Sequence, residues 1–337
     1  MSLPGSPPVI AVDGGNSKTD VLLVAEDGRV LGRSRGPGAS PQNIGLDASV
    51  ALLERLVLDA LADGGLPARR PFGRHSSVYL AGMDLPAEEE AFSLALTARE
   101  WSASATVAND TFALLRAGTE DGAGVAVVCG AGINCVGVSA DGRVHRFPAL
   151  GKISGDWGGG LQLGEEALWS AVRAEDGRGP GTGLRDAVCE HFGVNAVVEV
   201  MERLHFGEYP YARLHELSPV LFRVAATGDE VAQGVVDRLI EEVVVLATVT
   251  LRRLALTDGA PAVILGGGVL TGVGETVTGE IERRCRKVAP NAVVRVVDVA
   301  PVVGAALSGL DAVGADAAAK QRLRASSVAA PEGGRNG

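Results

Sequence analysis

The residues best suited to chemistry lie in a glycine turn near the start of the chain. An apolar run from Val9 ends at Asp13, and the turn continues as Gly14-Gly15-Asn16-Ser17-Lys18-Thr19. Glycine lets successive backbone N–H groups point into one hollow, which binds a phosphate group. A carboxylate beside phosphates is repulsive unless a cation lies between them, so Asp13 is interpreted as a water-mediated partner of Mg²⁺. The alternative is an Asp that stabilises its own turn.

A second glycine turn has similar surroundings. Gly130-Ala131-Gly132 follows the apolar run from Val125 and precedes another apolar strand. Two such turns could hold the phosphates of one ATP between them, so both turns are predicted ATP-binding segments. A third cluster, Gly266-Gly267-Gly268, follows the strand PAVIL and is predicted to lie under the adenosine. It does not fit a P-loop, and the chain contains no Walker sequence.

Two further aspartates are candidates for work on a hydroxyl group. Phosphoryl transfer depends on positioning, charge neutralisation and a base for the acceptor hydroxyl. Asp110 ends the strand TVAND at the sheet edge where α/β folds bind ligands, and we predict that it is this base. Capping of the following helix TFALLRA is an equal alternative. Asp156, in GKISGDWGGG, is predicted to bind a hydroxyl, and its alternative role is a cap for the helix LQLGEEALWSAV.

The elements around the two phosphate turns repeat. Each half begins with three strands, and the last two are joined through a shared DGRV, at Asp27–Val30 and Asp141–Val144. Asp-Gly is the signal for a type I′ hairpin turn, whose two central residues both need positive φ. The same order of helices and strands then follows in each half, so we predict two βββαβαβα halves from an internal duplication. Chance recurrence of glycine hairpins in a chain with 46 glycines is the alternative.

The predicted elements of each half follow from hydrophobic periodicity. In the first half they are a helix at about 47–62, a strand at 77–81, a helix at 86–97, a strand at 105–108 and a helix after residue 110. In the second half they are a long helical stretch at about 161–256, a strand at 262–265, a helix at 273–288, a strand at 292–297 and a helix from residue 301. This order predicts an α/β protein with domains at 1–118 and 119–318 and a disordered tail at 319–337.

Composition excludes several classes of protein. The chain has 337 residues, of which 46% are hydrophobic and 21% charged, as in globular proteins. A net charge of −10 argues against a nucleic-acid partner. The four cysteines (Cys129, Cys135, Cys189 and Cys285) form no zinc or disulfide pattern and are expected to be buried or free thiols in the cytoplasm. No segment has the roughly 20 apolar residues of a membrane helix, and the N-terminus lacks the features of a signal peptide.

With these residues assembled, the sequence resembles the N-acetylglucosamine kinase / BadF-BadG-BcrA-BcrD ATPase family over about residues 9–310. The motifs that carry the resemblance are the turn at Asp13–Thr19, Asn43 in GASPQNIG, Asn109-Asp110, the turn Gly130-Ala131-Gly132-Ile133-Asn134-Cys135, Gly155-Asp156 and Gly266-Gly267-Gly268. The family is a branch of the actin-like superfamily of ATPases. The resemblance therefore implies a two-domain actin-like, or ribonuclease H-like, fold with an interdomain cleft.

The resemblance also implies a function and a set of roles. It implies that ATP and Mg²⁺ are used to phosphorylate a small-molecule amino sugar, with N-acetylglucosamine and its 6-hydroxyl as the expected acceptor. Asp110 is then the general base, and the sugar is bound by Asn43, Asn109, Asn134 and Asp156. The apolar helices between Arg185 and Leu256 are a candidate surface for a homodimer.

The sequence departs from the family at the second phosphate turn and beside the sugar motif. Ala131 and Ile133 stand where the family usually has Thr and Ser, and Leu150 stands where animal members have Trp. The identity of the sugar is therefore open, with glucosamine or another hexose as alternatives. Two further alternatives are an ATP-dependent activator of a radical dehydratase and a non-catalytic sugar sensor.

Overall fold

The first five strands form one mixed sheet. The structure is a computed structural model that describes residues 8–297 and 299–328. The strands are β1 Val9–Gly14, β2 Lys18–Val24, β3 Val30–Pro37, β4 Gly73–Leu80 and β5 Ser102–Asn109. They lie in the order β3-β2-β1-β4-β5, with β1, β2 and β3 antiparallel and β4 and β5 parallel to β1. The carboxyl ends of β1, β4 and β5 therefore meet at one edge of the sheet.

The second sheet repeats this arrangement. Its strands are β6 Gly124–Cys129, β7 Ile133–Val138, β8 Val144–Arg146, β9 Ala262–Gly266 and β10 Val293–Val296. Their order is β8-β7-β6-β9-β10, again with three antiparallel strands followed by two parallel to the first. Two sheets of one unusual order confirm the predicted duplication of the α/β halves.

The two Asp-Gly hairpin turns are present, but their type differs from the prediction. In the first, Ala25 N donates to Arg29 O (2.9 Å) and Gly28 N donates to Ala25 O (2.8 Å). The second has the same bonds at residues 139–143. The left-handed residue is the glycine, with φ of +86° at Gly28 and +83° at Gly142. Each connection is thus a three-residue loop closed by a left-handed glycine, and the type I′ prediction is wrong.

The helices connect the strands and cover the sheets. Those beside the first sheet are α1 Pro41–Ile44, α2 Leu46–Asp63, α3 Pro86–Thr97 and α4 Asp110–Gly118. The helices that follow β8 are α5 Gly160–Glu175, α6 Leu184–Phe192, α7 Val197–His205, α8 Leu217–Ala225 and α9 Glu230–Arg253. After β9 come α10 Gly268–Gly272, α11 Glu275–Cys285, α12 Pro301–Ala312 and α13 Ala317–Val328. The predicted long helical stretch is thus five α-helices, with a short 3₁₀ segment at Tyr211–Glu216 between α7 and α8 and another at Gly151–Ser154 before the stretch.

The chain forms two compact units, and one of them is built from two separate stretches. Unit 1 contains the described residues up to Ala123 and those from Val297 onward, and unit 2 is Gly124–Val296. This division differs from the predicted domains, 1–118, 119–318 and 319–337, chiefly because α12 and α13 belong to unit 1. In the actual structure the second half ends where β10 ends.

Helix α12 is assigned to unit 1 by its packing. Its buried residues share a core with Val9, Ala11 and Tyr79 of the first sheet. Small residues permit this close contact, since a Cβ on Gly304 would lie 1.9 Å from the Ala113 carbonyl and one on Gly309 would lie 2.3 Å from Val9. Arg116 of α4 also donates to Asp311 at 2.7 Å.

The predicted disordered tail is helical as far as Val328, so that prediction is wrong for residues 319–328. Leu323 is fully buried, and Arg324 donates to the carbonyls of Ala117 and Thr119 at 2.8 and 2.5 Å. Burial of α13 against unit 1 explains the error, because local composition does not reveal it. Residues 329–337 of the predicted tail lie outside the described part of the chain.

Unit 2 has its own core, formed where helices α5 to α9 and α11 pack together and against the second sheet. All four cysteines are buried free thiols, as expected. Within the described residues, no helix combines the length and apolarity required to cross a membrane.

Candidate active site

The first phosphate turn joins β1 to β2 at the carboxyl edge of the first sheet. The turn is closed by Gly15 N, which donates to Lys18 O at 2.8 Å. Gly38 allows the end of β3 to approach the turn, because a Cβ there would lie 2.1 Å from Asn16 O. Thr19 is fully buried and its hydroxyl donates to Pro37 O (2.8 Å), so this side chain holds the turn in place. Asn16, Ser17 and Lys18 are exposed.

Asp13 and Asp110 come together at this edge through strand register. Gly14 pairs with Leu80 of β4, and Leu80 pairs with Asn109 of β5. Asp13 therefore lies just before the aligned strand ends and Asp110 just after them. Both carboxylates are half-buried.

Burial shifts both carboxylates towards the protonated form, and like charge shifts Asp13 further. Burial raises the pKa of Asp13 to about 8, with further increases from the negative charges of Asp110 and Asp20 and a decrease from Lys18. Burial also raises the pKa of Asp110 to about 6, opposed by the backbone N–H groups of Thr111 and Asp110. Two buried carboxylates, one of which raises the pKa of the other, are suited to a cation, whose charge would stabilise both as anions.

Asp110 is not the N-cap of α4. The N-cap is Asn109, whose Oδ1 accepts hydrogen bonds from the backbone N–H (3.0 Å) and hydroxyl (2.6 Å) of Thr111. Asp110 is the first residue of the helix, so the prediction that it could be the N-cap is wrong, although its carboxylate interacts with the backbone N–H groups of Asp110 and Thr111. A carboxylate in this position also interacts favourably with the helix N-terminus.

Two of the amide side chains predicted to bind the sugar, Asn43 and Asn109, lie at this edge, and each is bonded to another polar side chain. Asn109 Nδ2 donates to Asp84 Oδ1 at 2.8 Å, and Asp84 Oδ2 accepts from Gln42 Nε2 at 3.0 Å. Asn43, the residue after Gln42 in α1, donates through Nδ2 to Asn16 Oδ1 at 2.9 Å. The predicted sugar residue Asn43 is thus bonded directly to the first phosphate turn.

The second phosphate turn lies among glycine segments of unit 2. Gly130 N donates to Gly132 O at 2.9 Å, and Gly160 N, at the start of α5, donates to Gly130 O at 2.7 Å. Gly159 has φ of +92°, and a Cβ there would lie 2.4 Å from Ala131 O. Gly267 has φ of +85°, and a Cβ there would lie 2.5 Å from the Cys129 carbonyl carbon. The predicted adenosine glycines and the second turn are therefore neighbours.

Asp156 lies in a turn of unit 2 and is not a helix cap. Its Oδ2 accepts from the Ser154 hydroxyl (2.5 Å) and from Gly151 N (3.1 Å), while the N-cap of α5 is Gly159. The capping alternative for Asp156 is therefore wrong as well. Asn134 lies at the start of β7, and its Oδ1 accepts from Cys135 N at 2.7 Å.

The three departures from the family have different surroundings. Ile133 is 7% exposed and packs in the core of unit 2, where a hydroxyl would be unfavourable. Ala131 is exposed and contributes backbone groups to the turn. Leu150 N donates to Ser154 Oγ (2.7 Å) beside Asp156.

Sequence reasoning missed three features: Asp84, Gln42 and the glycines Gly158 to Gly160. Asp84 follows the carboxyl end of β4, which is where the rule that selected Asp110 also applies. The run of glycines is visible in the sequence. Its role in packing against the second phosphate turn is not, because that turn lies about 28 residues earlier in the chain.

The carboxylates of unit 1 fit Mg²⁺, and the glycine segments of unit 2 fit a nucleotide. Carboxylate oxygens are the ligands that Mg²⁺ prefers, and the ion usually takes few of them from protein and the rest from phosphates and water. The described residues contain no group of three or more acidic, His or Cys side chains arranged to hold a metal. Close backbone approach at Gly159 and Gly267 gives unit 2 a surface without side chains, as a nucleotide-binding segment requires.

Two α/β units that repeat one strand order, each with a glycine turn after its first strand, define a two-domain actin-like ATPase fold. Within this class the chain belongs to the BadF/BadG/BcrA/BcrD ATPase family, which it matches over residues 10–309. Both the fold class and the family predicted from sequence are therefore confirmed.

Individual relatives are distant but cover most of the chain. An N-acetyl-D-glucosamine kinase of Dictyostelium discoideum is 23% identical over 325 residues, which is 90% of this chain and 97% of the relative. An N-acetylmuramic acid/N-acetylglucosamine kinase of Clostridium acetobutylicum is 23% identical over 268 residues, 79% and 86% of the two chains. A solved structure described as an N-acetylglucosamine kinase from Chromobacterium violaceum has a TM-score of 0.71 at 24% identity, covering 91% of this chain and all of that one.

Proposed function

We propose that this protein phosphorylates an amino sugar at the expense of ATP and that the acceptor is the 6-hydroxyl of N-acetylglucosamine. Membership of the ATPase family and the kinase relatives bear out the prediction of a sugar kinase. The choice of N-acetylglucosamine is supported by the names of both relatives. The second relative adds N-acetylmuramic acid to the sugars that need testing.

The observation that carries the proposal is the position of Asp110. Asp110 is not the N-cap of α4, and its carboxylate lies at the aligned ends of β1, β4 and β5, near enough to Asp13 to raise the pKa of Asp13. A kinase base needs this combination of a fixed backbone, a nearby cation partner and a pKa close to the working pH. Because the pKa of Asp110 is about 6, the group is an available base at neutral pH.

In the proposed reaction Asp110 accepts the proton of the sugar hydroxyl. The hydroxyl oxygen forms a bond to the γ-phosphorus as the bond from that phosphorus to the β–γ bridging oxygen breaks, giving sugar phosphate and ADP. Asn43, Asn109, Asn134 and Asp156 are the proposed sugar ligands, and the glycine turns bind phosphates through backbone N–H groups. Mg²⁺, held near Asp13 through water, would neutralise phosphate charge.

The buried cysteines weigh against the activator alternative. An iron–sulfur cluster needs thiolates, and a subunit interface needs them near the surface. Burial instead raises the pKa of Cys129 and of Cys135 to about 12, so that both remain thiols.

The test is ADP release with Mg·ATP and a panel of sugars: N-acetylglucosamine, glucosamine, N-acetylmannosamine, N-acetylmuramic acid and glucose. We expect turnover with N-acetylglucosamine and a product that carries phosphate on O6, identified by ³¹P–¹H NMR. Iron content is measured on the same preparation. Absence of turnover with every sugar would overturn the kinase proposal, and turnover confined to another sugar would overturn the choice of acceptor.

Asp110→Asn tests the base. The variant keeps the size of the side chain and loses the proton acceptor, so we expect kcat to fall by about a hundredfold or more with nearly unchanged ATP affinity. Asp59→Asn, on the exposed face of α2, is the matched control. An Asp110→Asn enzyme with near-normal kcat would remove Asp110 from the reaction.

A further inference from the structure

Asp84 is a buried carboxylate for which the proposed reaction has no role. It follows β4 at the carboxyl edge of the first sheet and is 7% exposed. Its two oxygens accept from two different amides, Asn109 Nδ2 at 2.8 Å and Gln42 Nε2 at 3.0 Å. Burial of a carboxylate costs free energy unless hydrogen bonds compensate for the lost hydration, so the position of Asp84 at this edge needs an explanation.

The two amides belong to residues that are adjacent in sequence to two residues of the proposed sugar site: Asn109 precedes Asp110, and Gln42 precedes Asn43. Asn109 is fixed at the other end, since its Oδ1 accepts both the N–H and the hydroxyl of Thr111 at the start of α4. The next residue is Asp110. Gln42 lies in α1 immediately before Asn43, and Asn43 is bonded to Asn16 of the first phosphate turn. One carboxylate therefore connects the backbone that carries the base with the backbone that carries a sugar ligand.

Asp84 itself is held rigidly. The side chain of Glu88 accepts hydrogen bonds from Asp84 N (2.9 Å) and Leu85 N (2.8 Å) at the start of α3. Gly82, with φ of +80°, permits the close approach of α1, since a Cβ there would lie 2.8 Å from the Gln42 side chain. Both the loop before α3 and its contact with α1 are thus preorganised around Asp84.

We propose that Asp84 is a positioning residue that sets the distance between the base Asp110 and the sugar ligand Asn43. The proposal rests on the sugar-kinase function proposed above. The orientation of Asn109 explains why an acceptor is needed: its Oδ1 is used by Thr111, so its Nδ2 must point to Asp84. Positioning of a base and an acceptor within a fraction of an ångström affects the rate far more than it affects binding of the nucleotide.

Asp84→Leu removes both acceptors at similar side-chain size. We expect kcat to fall about tenfold or more and KM for the sugar to rise, while KM for ATP stays within about twofold. Asp84→Asn is the conservative rescue, because its oxygen still accepts from Asn109 and its NH₂ can donate to Gln42 after rotation of the Gln42 amide. Its kcat is expected within about threefold of the parent.

Gln42→Leu removes only the hydrogen bond between Asp84 and Gln42 and leaves that between Asp84 and Asn109. It replaces Asp84→Leu as the test if that variant does not fold. Gln42 is exposed, so the variant is expected to fold, to raise KM for the sugar about fivefold and to leave kcat within about twofold. Glu54→Met is the matched control: Glu54 is another carboxylate of unit 1 that bridges two partners, Arg70 and Arg99. Its loss is expected to lower the melting temperature without changing either KM or kcat.

The outcomes separate this inference from the proposed function. If the parent protein phosphorylates no sugar, the function fails and the inference with it. If the parent is active and folded Asp84→Leu has parental kinetics, or Gln42→Leu leaves the sugar KM unchanged, the positioning role alone is overturned. A fall in kcat in Glu54→Met equal to that in Asp84→Leu would show a general loss of stability and would also overturn it.

Discussion

The two carboxylates at the carboxyl edge of the first sheet, Asp13 and Asp110, have different pKa values. The pKa of Asp110 is about 6 and that of Asp13 is about 8, against 3.8 for an unperturbed aspartate. Burial is the first cause in both, and Asp13 additionally experiences the charges of Asp110 and Asp20. Because the native state keeps these protons where the unfolded chain has released them, the ligand-free site lowers the stability of unit 1 as the pH rises.

Asp13→Asn is therefore expected to stabilise the protein in a pH-dependent way. Native Asp13 binds a proton up to about pH 8, whereas the unfolded side chain releases it near pH 3.8, so parental stability falls between these values. Asn does not titrate, and the gain in melting temperature should be small near pH 4, grow through pH 8 and then level off. The measurement is thermal unfolding in EDTA at pH 5, 6.5 and 8.5.

Asp59→Asn, an exposed neutralisation in α2, controls for the change in net charge. An Asp13→Asn gain that is equal at pH 5 and pH 8.5 would contradict the assigned cause.

Three glycine segments of unit 2, each at the end of a strand or the start of a helix, contact one another. The turn between β6 and β7, the start of α5 and the start of α10 approach through backbone atoms, which leaves no room for a Cβ at Gly159 or Gly267. Both residues also combine positive φ with ψ of 157° and 152°, a region essentially restricted to glycine that costs an L-residue about 1–3 kcal/mol. The proposed nucleotide surface is therefore sensitive to a single methyl group.

Gly159→Ala is expected to lower the free energy of unfolding by about 2–4 kcal/mol, from unfavourable φ together with overlap against Ala131 O. It should also raise the KM for ATP, since the second turn must move. Gly234→Ala is the matched control: it lies within α9 with no atom near its added Cβ, and it should stabilise by about 0.5–1 kcal/mol. Urea unfolding of both variants checks this, and equal effects would contradict the packing argument.

Much of this element structure could be read from the sequence, for reasons that particular residues make clear. The helix from Pro86 was predicted with its observed bounds, because Pro begins it and apolar periodicity continues to Thr97. Asp110 was found because it follows a strand, a local signal. Asp84 was missed because its importance comes from Gln42 and Asn109, which are 42 and 25 residues away. The helix α13 was missed because only burial of Leu323 distinguishes it from a polar tail.

The whole molecule consists of a continuous unit and an interrupted one. Unit 2 runs without a break from Gly124 to Val296 and has a core of its own. Unit 1 needs α12 to cover Val9, Ala11 and Tyr79 on the face of its sheet, and that helix comes from the far end of the chain. The two units therefore differ in what they require in order to fold.

Expression of the parts separately tests this difference. Residues 124–296 are expected to fold alone, with a cooperative thermal transition and dispersed amide NMR signals. Residues 1–123 are expected to remain aggregated or unfolded, because their sheet would expose the surface that α12 buries. Addition of a peptide spanning 297–328 should restore structure to the 1–123 fragment. Independent folding of residues 1–123 would show that α12 is dispensable.

The late arrival of α12 has a consequence for biosynthesis. A ribosome releases the strands of unit 1 first, but the helix that completes their cover emerges only after all of unit 2 has been made. At typical elongation rates of about 5–20 residues per second, the nascent sheet waits roughly ten to forty seconds with Val9 and Tyr79 uncovered. Unit 2 can finish folding in that interval. The order of maturation is thus the reverse of the order of translation, and the early sheet is the part of the nascent protein that most needs a chaperone.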